Sequence, residues 1–369
     1  MERPIFKPSG TPIEELDTPA LVVDLAALEH NLETVHSYFR ERPAKLRPHV
    51  EAHRCPAIAH KQLASGGTVG GICVNTVGQG ELFVRSGFGD VFIINQIVTP
   101  QKIQRLCALA HHARVSVAVD NPKNAKALSE AASAAGVTLH AVVEINTRPD
   151  RCGIEPGEQA VGLAKTLAKS RGLRFAGFTT CEGAVPDEDP EAPAQGSQSA
   201  VQRLLDTRDM AEKAGLEVHM ASAGGTHNYE VVGDMTGVTE VIAGSYALMD
   251  GRYRPSQPQL RPAARVLAIV TSRPEPGVAI LDTGQKAIGS DGGLPSVDGG
   301  LNARVESLSA EHGSLQLLDE SAEGLQPGDK VWLIPWDMGT CANLFDYAHA
   351  ARDGRLEVIW DIAARGLYR

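Results

Sequence analysis

The run DVFIINQ at Asp90–Gln96 is short, largely apolar and partly β-branched, which favours a strand that is buried on both faces. The next stretch, Pro100–His111, has helical periodicity, and a second such run, RVSVAVD at Arg114–Asp120, follows it. The same order recurs along the first two thirds of the chain, where the other strand-like runs are Leu46–Ala52, Gly71–Thr76, Leu139–Asn146, Leu173–Glu182, Glu217–Gly224 and Glu240–Met249. Eight strands with helical crossovers predict a closed α/β barrel, (β/α)8, with an open doubly wound sheet as the alternative.

The sequence pattern changes after residue 250. Its strand-like runs are separated by Gly, Pro and Asp turns and show little helical periodicity, which predicts a mainly antiparallel β domain. These runs are Arg265–Thr271, Gly277–Asp282, Ala303–Leu308, Ser314–Leu318, Lys330–Ile334 and Leu356–Asp361. We therefore expect residues 17–250 to form the barrel, and residues 1–16 with 251–369 to form the β domain. The acidic, Pro-rich stretch Gly183–Gln198 is expected to be a loop above the sixth strand.

Composition limits the classes of partner. The 369 residues are 43% hydrophobic and 22% charged, with a formal net charge of −10. An acidic chain without clusters of Lys and Arg argues against nucleic-acid binding, and no segment approaches the ~20 uncharged apolar residues that span a bilayer. The six cysteines are scattered, which is typical of reduced thiols. We expect a cytoplasmic protein with a small-molecule substrate and no membrane or nucleic-acid partner.

Reactive groups are expected where the barrel strands end, because (β/α)8 enzymes build their sites at the C-terminal ends of the strands. The first strand runs into PHVEAHR at Pro48–Arg54. Alternation along a strand would place His49, Glu51 and His53 on one inner face. Two imidazoles and a carboxylate can ligate a divalent metal or form an acid–base pair, and a buried polar ladder is the purely structural alternative.

Two glycine turns follow later strands. The seventh strand ends in SAGGTHNY at Ser222–Tyr229 and the eighth ends in IAGSY at Ile242–Tyr246. Backbone amides in such turns can bind a phosphate, or the glycines can serve backbone geometry alone. After the fifth strand, Arg151 can contact a ring nitrogen or a carboxylate, or it can pair with Asp150 at the surface.

These motifs, taken in order, resemble the D-threonine aldolase and D-serine dehydratase family, which belongs to the alanine racemase-like, fold-type III pyridoxal phosphate (PLP) enzymes. The matching segments cover almost the whole chain and comprise Asp17–Asp24 with Asn31, Leu46–His49, Arg151–Gly153, Gly224–Thr226, Gly244–Tyr246 with Asp250, Asp282–Lys286 with Asp291, and Asn343–Asp346. The resemblance implies the same fold. It also implies a homodimer in which the β domain of one subunit approaches the barrel mouth of the other.

The chain departs from this family where the family holds its cofactors. The family forms its internal aldimine on the lysine of an R-P-H-x-K-x-H-K motif, and this chain has Glu51 at that position. Family members bind zinc or manganese through a P-x-H-x-C/D motif, of which Asp337 is the one remaining candidate ligand. The resemblance therefore implies PLP that is not covalently bound. Its expected binding residues are Gly225, Thr226, Gly244, Ser245 and Tyr246.

Two functions are compatible with such a site. The first is a lyase-like enzyme that performs retro-aldol cleavage, dehydration or epimerisation of a small hydroxylated amino acid or amine without a PLP aldimine. Its catalytic residues would be Glu51 as general base, His53 and Arg151, assisted by a divalent metal (Zn or Mn) on His49, His53 and Asp337. The alternative is a non-catalytic protein that binds PLP or another phosphate noncovalently through Arg151, Thr226 and residues 244–246.

Overall fold

The computed structural model describes residues 6–147, 151–181 and 192–369. The chain divides into two compact units. The barrel unit comprises Val35–Glu51, Ala59–Gly244 and Gly366–Arg369, and the β unit comprises Met1–Thr34, Ala52–Ile58 and Ser245–Arg365. No helix in the described ranges is both long enough and apolar enough to cross a membrane.

Strands and helices alternate as far as residue 243. In chain order these elements are β1 (Ala20–Asp24), α1 (Leu25–Arg40), β2 (Lys45–Pro48), α2 (Pro56–Ala64), β3 (Ile72–Val74), α3 (Val77–Arg85), β4 (Asp90–Gln96), α4 (Pro100–Leu109), β5 (Arg114–Val119), α5 (Pro122–Ala135), β6 (Leu139–Glu144), α6 (Glu158–Lys169), β7 (Leu173–Thr179), α7 (Ala192–Lys213), β8 (Met220–Ala223), α8 (Tyr229–Gly233) and β9 (Glu240–Ala243). The later elements are β10 (Ala264–Ser272), β11 (Val278–Leu281), β12 (Ser296–Asp298), β13 (Ala303–Leu308), β14 (Gly313–Leu317), α9 (Glu320–Glu323), β15 (Lys330–Ile334), α10 (Met338–Ala342), β16 (Tyr347–Arg352) and β17 (Arg355–Asp361).

Helix α5 illustrates how local sequence sets the helix bounds. The Asn121 side chain accepts a hydrogen bond from the Lys123 amide at 2.8 Å, and Pro122 occupies the first turn, where no amide is needed. At the other end Gly136 adopts a left-handed conformation with φ of 68°, which glycine reaches without steric cost. These residues begin and end the helix close to the bounds that the periodicity predicts.

The barrel is an eight-stranded parallel sheet in the order β2-β9-β8-β7-β6-β5-β4-β3. Bridges between Leu46 and Thr68 and between His49 and Cys73 join its two edges, so the sheet is nearly closed. The predicted (β/α)8 barrel is confirmed, and all eight predicted strands are present, most of them shorter than their apolar runs. The predicted loop at residues 183–198 ends earlier, because α7 begins at Ala192. Its residues 183–191 lie outside the described residues.

An apolar layer fills the barrel interior. Strands β3 to β9 each contribute one buried residue to it, namely Cys73, Phe92, Ala118, Val142, Ala176, Met220 and Ile242. Inward-facing layers of this kind are how (β/α)8 barrels pack their centre. The layer therefore separates the C-terminal mouth of the barrel from its N-terminal end.

A buried ion-pair network joins three strands at the N-terminal end. Arg47 in β2 is only 1% exposed, and its Nε and Nη2 donate to the carboxylate of Glu240 in β9 at 2.8 and 2.9 Å. Its Nη1 donates to Asp90 in β4 at 2.8 Å, and the Ser222 hydroxyl donates to Glu240 at 3.1 Å. Buried charges are tolerated only when they are paired and hydrogen-bonded in this way.

The β unit contains a nine-stranded sheet. Its main path is β13-β14-β11-β10-β1-β16-β17, and β15 pairs with both β10 and β12. The pairs are antiparallel except that of β1 with β16, so the predicted C-terminal β domain is confirmed. The expected boundaries group β1 with the barrel, but its hydrogen bonds to β10 and β16 place it in this sheet. Apolar periodicity had not indicated the short strand β12 or the Ala-rich strand β16.

Replacing Arg47 is expected to destabilise the protein strongly. Arg47→Ala leaves the carboxylates of Glu240 and Asp90 without their buried cation, and breaking one partner of a buried pair costs about 3–5 kcal/mol. Urea unfolding followed by circular dichroism measures the free energy of unfolding. The control is Lys126→Ala, which removes an exposed helical pair with Glu130 and should change stability little. Equal, small losses in the two variants would contradict the role of Arg47.

Candidate functional site at the C-terminal mouth of the barrel

The backbone turns sharply after β2, where the predicted site begins. His49 still extends the strand, because its amide donates to the carbonyl that ends β9 at 2.9 Å. Residues Val50–Ala52 then form a 3₁₀ turn, and the Glu51 amide donates to His49 Nδ1 at 3.1 Å. The prediction of one strand through residue 52 is therefore wrong, and His49, Glu51 and His53 do not share a strand face.

The turn directs the Glu51 carboxylate toward the end of the neighbouring strand. Its Oε2 accepts a hydrogen bond from Asn75 Nδ2 at 2.6 Å, and Asn75 directly follows β3. Asn75 is itself fixed, because its carbonyl accepts from Asn95 Nδ2 at 2.8 Å and its amide donates to Gln79 Oε1 at 2.9 Å. Glu51 is half-buried. A half-buried carboxylate held by a positioned amide is suited to accept a proton from a bound molecule.

Further polar groups end the strands on the other side of the mouth. Glu144, the last residue of β6, is buried, and this burial raises the pKa of its carboxyl, while a hydrogen bond from Gln96 lowers it. Arg151 follows β6, and its Nη1 donates to Cys181 Sγ after β7. The alternative partner predicted for Arg151, Asp150, lies outside the described residues. A contact between Arg151 and a substrate stays a prediction.

The two glycine turns are shaped largely by contacts within the chain. The Gly225 amide, predicted to face a phosphate, donates instead to Asn228 Oδ1 at 2.8 Å. A Cβ at Gly244 would lie 2.1 Å from the His49 carbonyl oxygen, so this glycine is required for close packing beside β2. Thr226 is buried in the barrel unit, and Ser245 with the buried Tyr246 belongs to the β unit. The phosphate-binding role of these five residues stays a prediction.

The predicted metal ligands gain no support from their surroundings. His53 is buried, and its Nδ1 accepts from the Cys55 amide at 3.1 Å. Asp337 caps α10 by accepting from the Thr340 amide at 2.7 Å. Across the residues that the structure describes, no group of three or more His, Cys, Asp or Glu side chains could hold a metal ion. Metal binding by His49, His53 and Asp337 stays a prediction.

Four residues of the mouth were missed by the sequence analysis: Asn75, Asn95, Gln96 and Glu144. Asn75 directly follows β3, Asn95 and Gln96 are the last two residues of β4, and Glu144 is the last residue of β6. The signal that could have found them is a polar residue closing an otherwise apolar strand run, at the end of the barrel where such residues serve chemistry. Their hydrogen bonds to one another and to Glu51 could not be inferred from that signal.

Models of two known domain families match the two parts of this chain. The model of the alanine racemase N-terminal domain matches residues 23–250, and the model of a putative serine dehydratase domain matches residues 263–351. A D-threonine aldolase from Arthrobacter sp is 33% identical over 98% of this chain and 96% of its own length. The chain belongs to the D-threonine aldolase and D-serine dehydratase family. The resemblance inferred from the sequence motifs is thereby confirmed.

Other members of this aldolase and dehydratase family extend the comparison. A 3-hydroxy-D-aspartate aldolase from Paracoccus denitrificans (strain Pd 1222) is 32% identical over 97% of this chain and 94% of its own. The crystal structure of D-threonine aldolase from Filomicrobium marinum matches 98% of this chain and 100% of its own, with a TM-score of 0.94 and 36% identity. D-threo-3-hydroxyaspartate dehydratase from Delftia sp. HT23, with a TM-score of 0.84 over 95% and 98% of the two chains and 23% identity, shares the fold.

The family is PLP-dependent, but the residues of this mouth do not fit a covalently bound PLP. By its resemblance to the family motif, the segment Arg47–Arg54 has Glu51 where the family has its lysine, and a carboxylate cannot form a Schiff base. Lys45 lies at the start of β2, where its Nζ donates to three backbone carbonyls at 2.7 to 3.0 Å. Lys61 and the other lysines of the barrel unit lie on the helices α2 and α4 to α7. None of them substitutes for a lysine at position 51.

Asp250, which lies in one of the segments that match the family, makes the stability of the protein depend on pH. It lies in the β unit, where its carboxylate accepts from the amides of Met338 and Tyr253, each at 3.1 Å. Burial raises the pKa of Asp250 from 3.8 to about 7. Because the folded state favours the protonated form, the stability that this shift confers is fully present below pH 3.8 and is lost as the pH rises to about 7.

We expect Asp250→Asn, which stays uncharged, to become progressively more stable relative to wild type as the pH rises through this window. One amide loses its acceptor oxygen in the variant, but that loss does not depend on pH. Urea unfolding of both proteins at several pH values between the two pKa values measures the difference. A stability difference that stays constant across the window would contradict the assigned pKa shift.

Proposed function

We propose that this protein is a lyase-class enzyme that acts on a small D-amino acid with a hydroxyl group on Cβ, without covalently bound PLP. Glu51 is its general base. The observation that carries the proposal is the Glu51 carboxylate, placed where the family has its lysine and held by Asn75 at the barrel mouth. Assistance by a divalent metal on His49, His53 and Asp337 stays a prediction on which this proposal does not depend.

The names of the relatives support the substrate class. D-threonine aldolase, 3-hydroxy-D-aspartate aldolase and D-threo-3-hydroxyaspartate dehydratase are each named for a small hydroxylated amino acid. Two of them are at least 32% identical to this chain over nearly its full length. Cleavage and dehydration both begin with the removal of one proton, so exchanging the base leaves this part of the chemistry available.

In a retro-aldol step Glu51 takes the proton of the substrate hydroxyl while the Cα–Cβ bond breaks. A carbonyl forms at Cβ, and the electron pair of the broken bond remains on Cα, where a proton is then added. The products are an aldehyde and a shorter amino acid. Arg151 is the cationic side chain available after β6 to bind the substrate carboxylate and to stabilise the negative charge beside it.

Dehydration requires an acid as well as a base. Glu144 is suited to that role because burial raises the pKa of its carboxyl, whereas Glu51 is half-buried beside a donating amide. Carboxyl groups in unlike environments can divide the acid and base roles. Glu144 would then protonate the departing hydroxyl after Glu51 removes the Cα proton.

The decisive variants are at position 51. With D-threonine or D-threo-3-hydroxyaspartate as substrate and no added PLP, Glu51→Gln is expected to lower kcat about 10²- to 10⁴-fold, because the amide cannot accept the proton. Glu51→Asp should retain part of the activity. The control is Glu155→Gln, which removes an exposed carboxylate after β6 that has no proposed role and should leave kcat unchanged. Product detection as aldehyde, glycine or ammonia separates cleavage from dehydration.

Glu51→Lys tests whether position 51 still faces the ancestral cofactor position. With added PLP this variant is expected to develop the absorbance of a Schiff base, and borohydride should fix the cofactor on Lys at that position. Wild type treated identically should carry no adduct. A borohydride adduct on another lysine of the wild type, or turnover that depends on added PLP, would overturn the proposal.

A further inference from the structure

The N-terminal end of the barrel holds a cavity that the proposed reaction does not use. Its volume is about 670 Å³, within the range of roughly 300–1,000 Å³ that is usual for small-molecule sites. Six consecutive strands, β4 to β9, supply their first or second residue to its wall. Ala176 and Met220 of the apolar layer also line it, so packed side chains separate this cavity from the mouth that holds Glu51.

Both acidic groups of the wall are in contact with arginine side chains. Glu240 receives two hydrogen bonds from Arg47, and Asp90 receives one. Asp90 also lies 3.5 Å from Nη1 of Arg114, a contact that leaves the other donors of this guanidinium available. Arg174 has no ion-pair partner in the part of the chain that the structure describes, and it is exposed to the cavity. Three guanidinium groups and two carboxylates line the wall, so it carries an excess of one positive charge that the protein does not itself balance.

The strand register brings these cations together on one face. His140 in β6 lies opposite Arg174 in β7 and opposite Ser116 in β5, which is two residues from Arg114. Residues opposite each other in a parallel sheet point to the same side, and so do residues two apart along a strand. The imidazole of His140 thus lies beside the two guanidinium groups. Burial and these two positive charges lower the pKa of His140, while Asp90 raises it.

We propose that this cavity binds a small organic anion with two or more oxyanion groups, such as a phosphate ester or a polycarboxylate. Arg114 and Arg174 hold the oxyanions, because a planar guanidinium donates two parallel hydrogen bonds to a carboxylate or phosphate. His140 donates a further hydrogen bond from its ring. This site lies apart from the reaction at the mouth, so it stands or fails independently of the proposed function.

Isothermal titration of the full chain with pyrophosphate and with citrate tests the site and distinguishes the two oxyanion classes. Saturable binding is expected for at least one of them, and none for chloride at the same ionic strength. Arg114→Ala and Arg174→Ala should each weaken binding about tenfold, the loss expected for charge-assisted hydrogen bonds. The matched control is Arg171→Ala, an exposed arginine at the same end that does not line the cavity.

The absence of saturable binding by either anion would overturn the proposal, and so would an equal loss in the Arg171 variant.

Proton NMR of the His140 ring supplies a second readout. The resonance of this ring is assigned by its absence from the spectrum of His140→Gln. A bound anion offsets the positive potential of Arg114 and Arg174, so the pKa of His140 should rise. The wall has four other charged or titratable groups, Arg47, Asp90, His219 and Glu240. All four are present both with and without the anion, so the two titrations of His140 differ only in the bound anion. Binding that leaves the His140 titration unmoved would place the anion elsewhere and contradict the proposal.

Discussion

The barrel depends on one buried cation, the guanidinium of Arg47. It enters from β2 and compensates carboxylates on β9 and β4, so it joins strands that are far apart in sequence. Without it, Glu240 would lose its buried cation and Asp90 would keep only its contact with Arg114, at a cost that is a large fraction of the stability of an ordinary domain. The same pairing fixes the strand that leads to Glu51. Together with Arg114 it offsets the two carboxylates of the N-terminal cavity, which leaves an excess positive charge on that wall.

The mouth of the barrel combines a family scaffold with altered chemistry. The relatives and the fold place the chain among PLP-dependent enzymes, yet an acid stands at the lysine position and the Gly225 amide is satisfied by Asn228. A lysine supplies both a covalent anchor and a mobile proton, whereas a carboxylate supplies only a proton acceptor. Asn75 keeps that acceptor at the end of β3. Under the proposed function, the family scaffold is retained and a carboxylate takes the place of the anchoring lysine.

Much of the fold could be predicted because short segments of the sequence carry the pattern of each strand and helix. Apolar runs alternating with helical periodicity identified all eight barrel strands, and Gly136 marked a helix end correctly. The strand ends could not be predicted, since they depend on where a neighbouring strand stops offering hydrogen bonds. β2 loses its regular pairing with β9 after Pro48, so the alternation that had grouped His49 with Glu51 and His53 ends there. The strand β1 was likewise misplaced, because its partners lie more than two hundred residues further along the chain.

The sequence by itself determined the barrel, the following β domain and the family, because periodicity and residue identity are properties of short segments. Only the tertiary structure decided which side chains meet. Glu51 meets Asn75 across 24 residues of chain, Arg47 meets Glu240 across 193, and two arginines and a histidine from three successive strands line one cavity. Such contacts depend on register and on the exact turn after each strand, which no local pattern specifies.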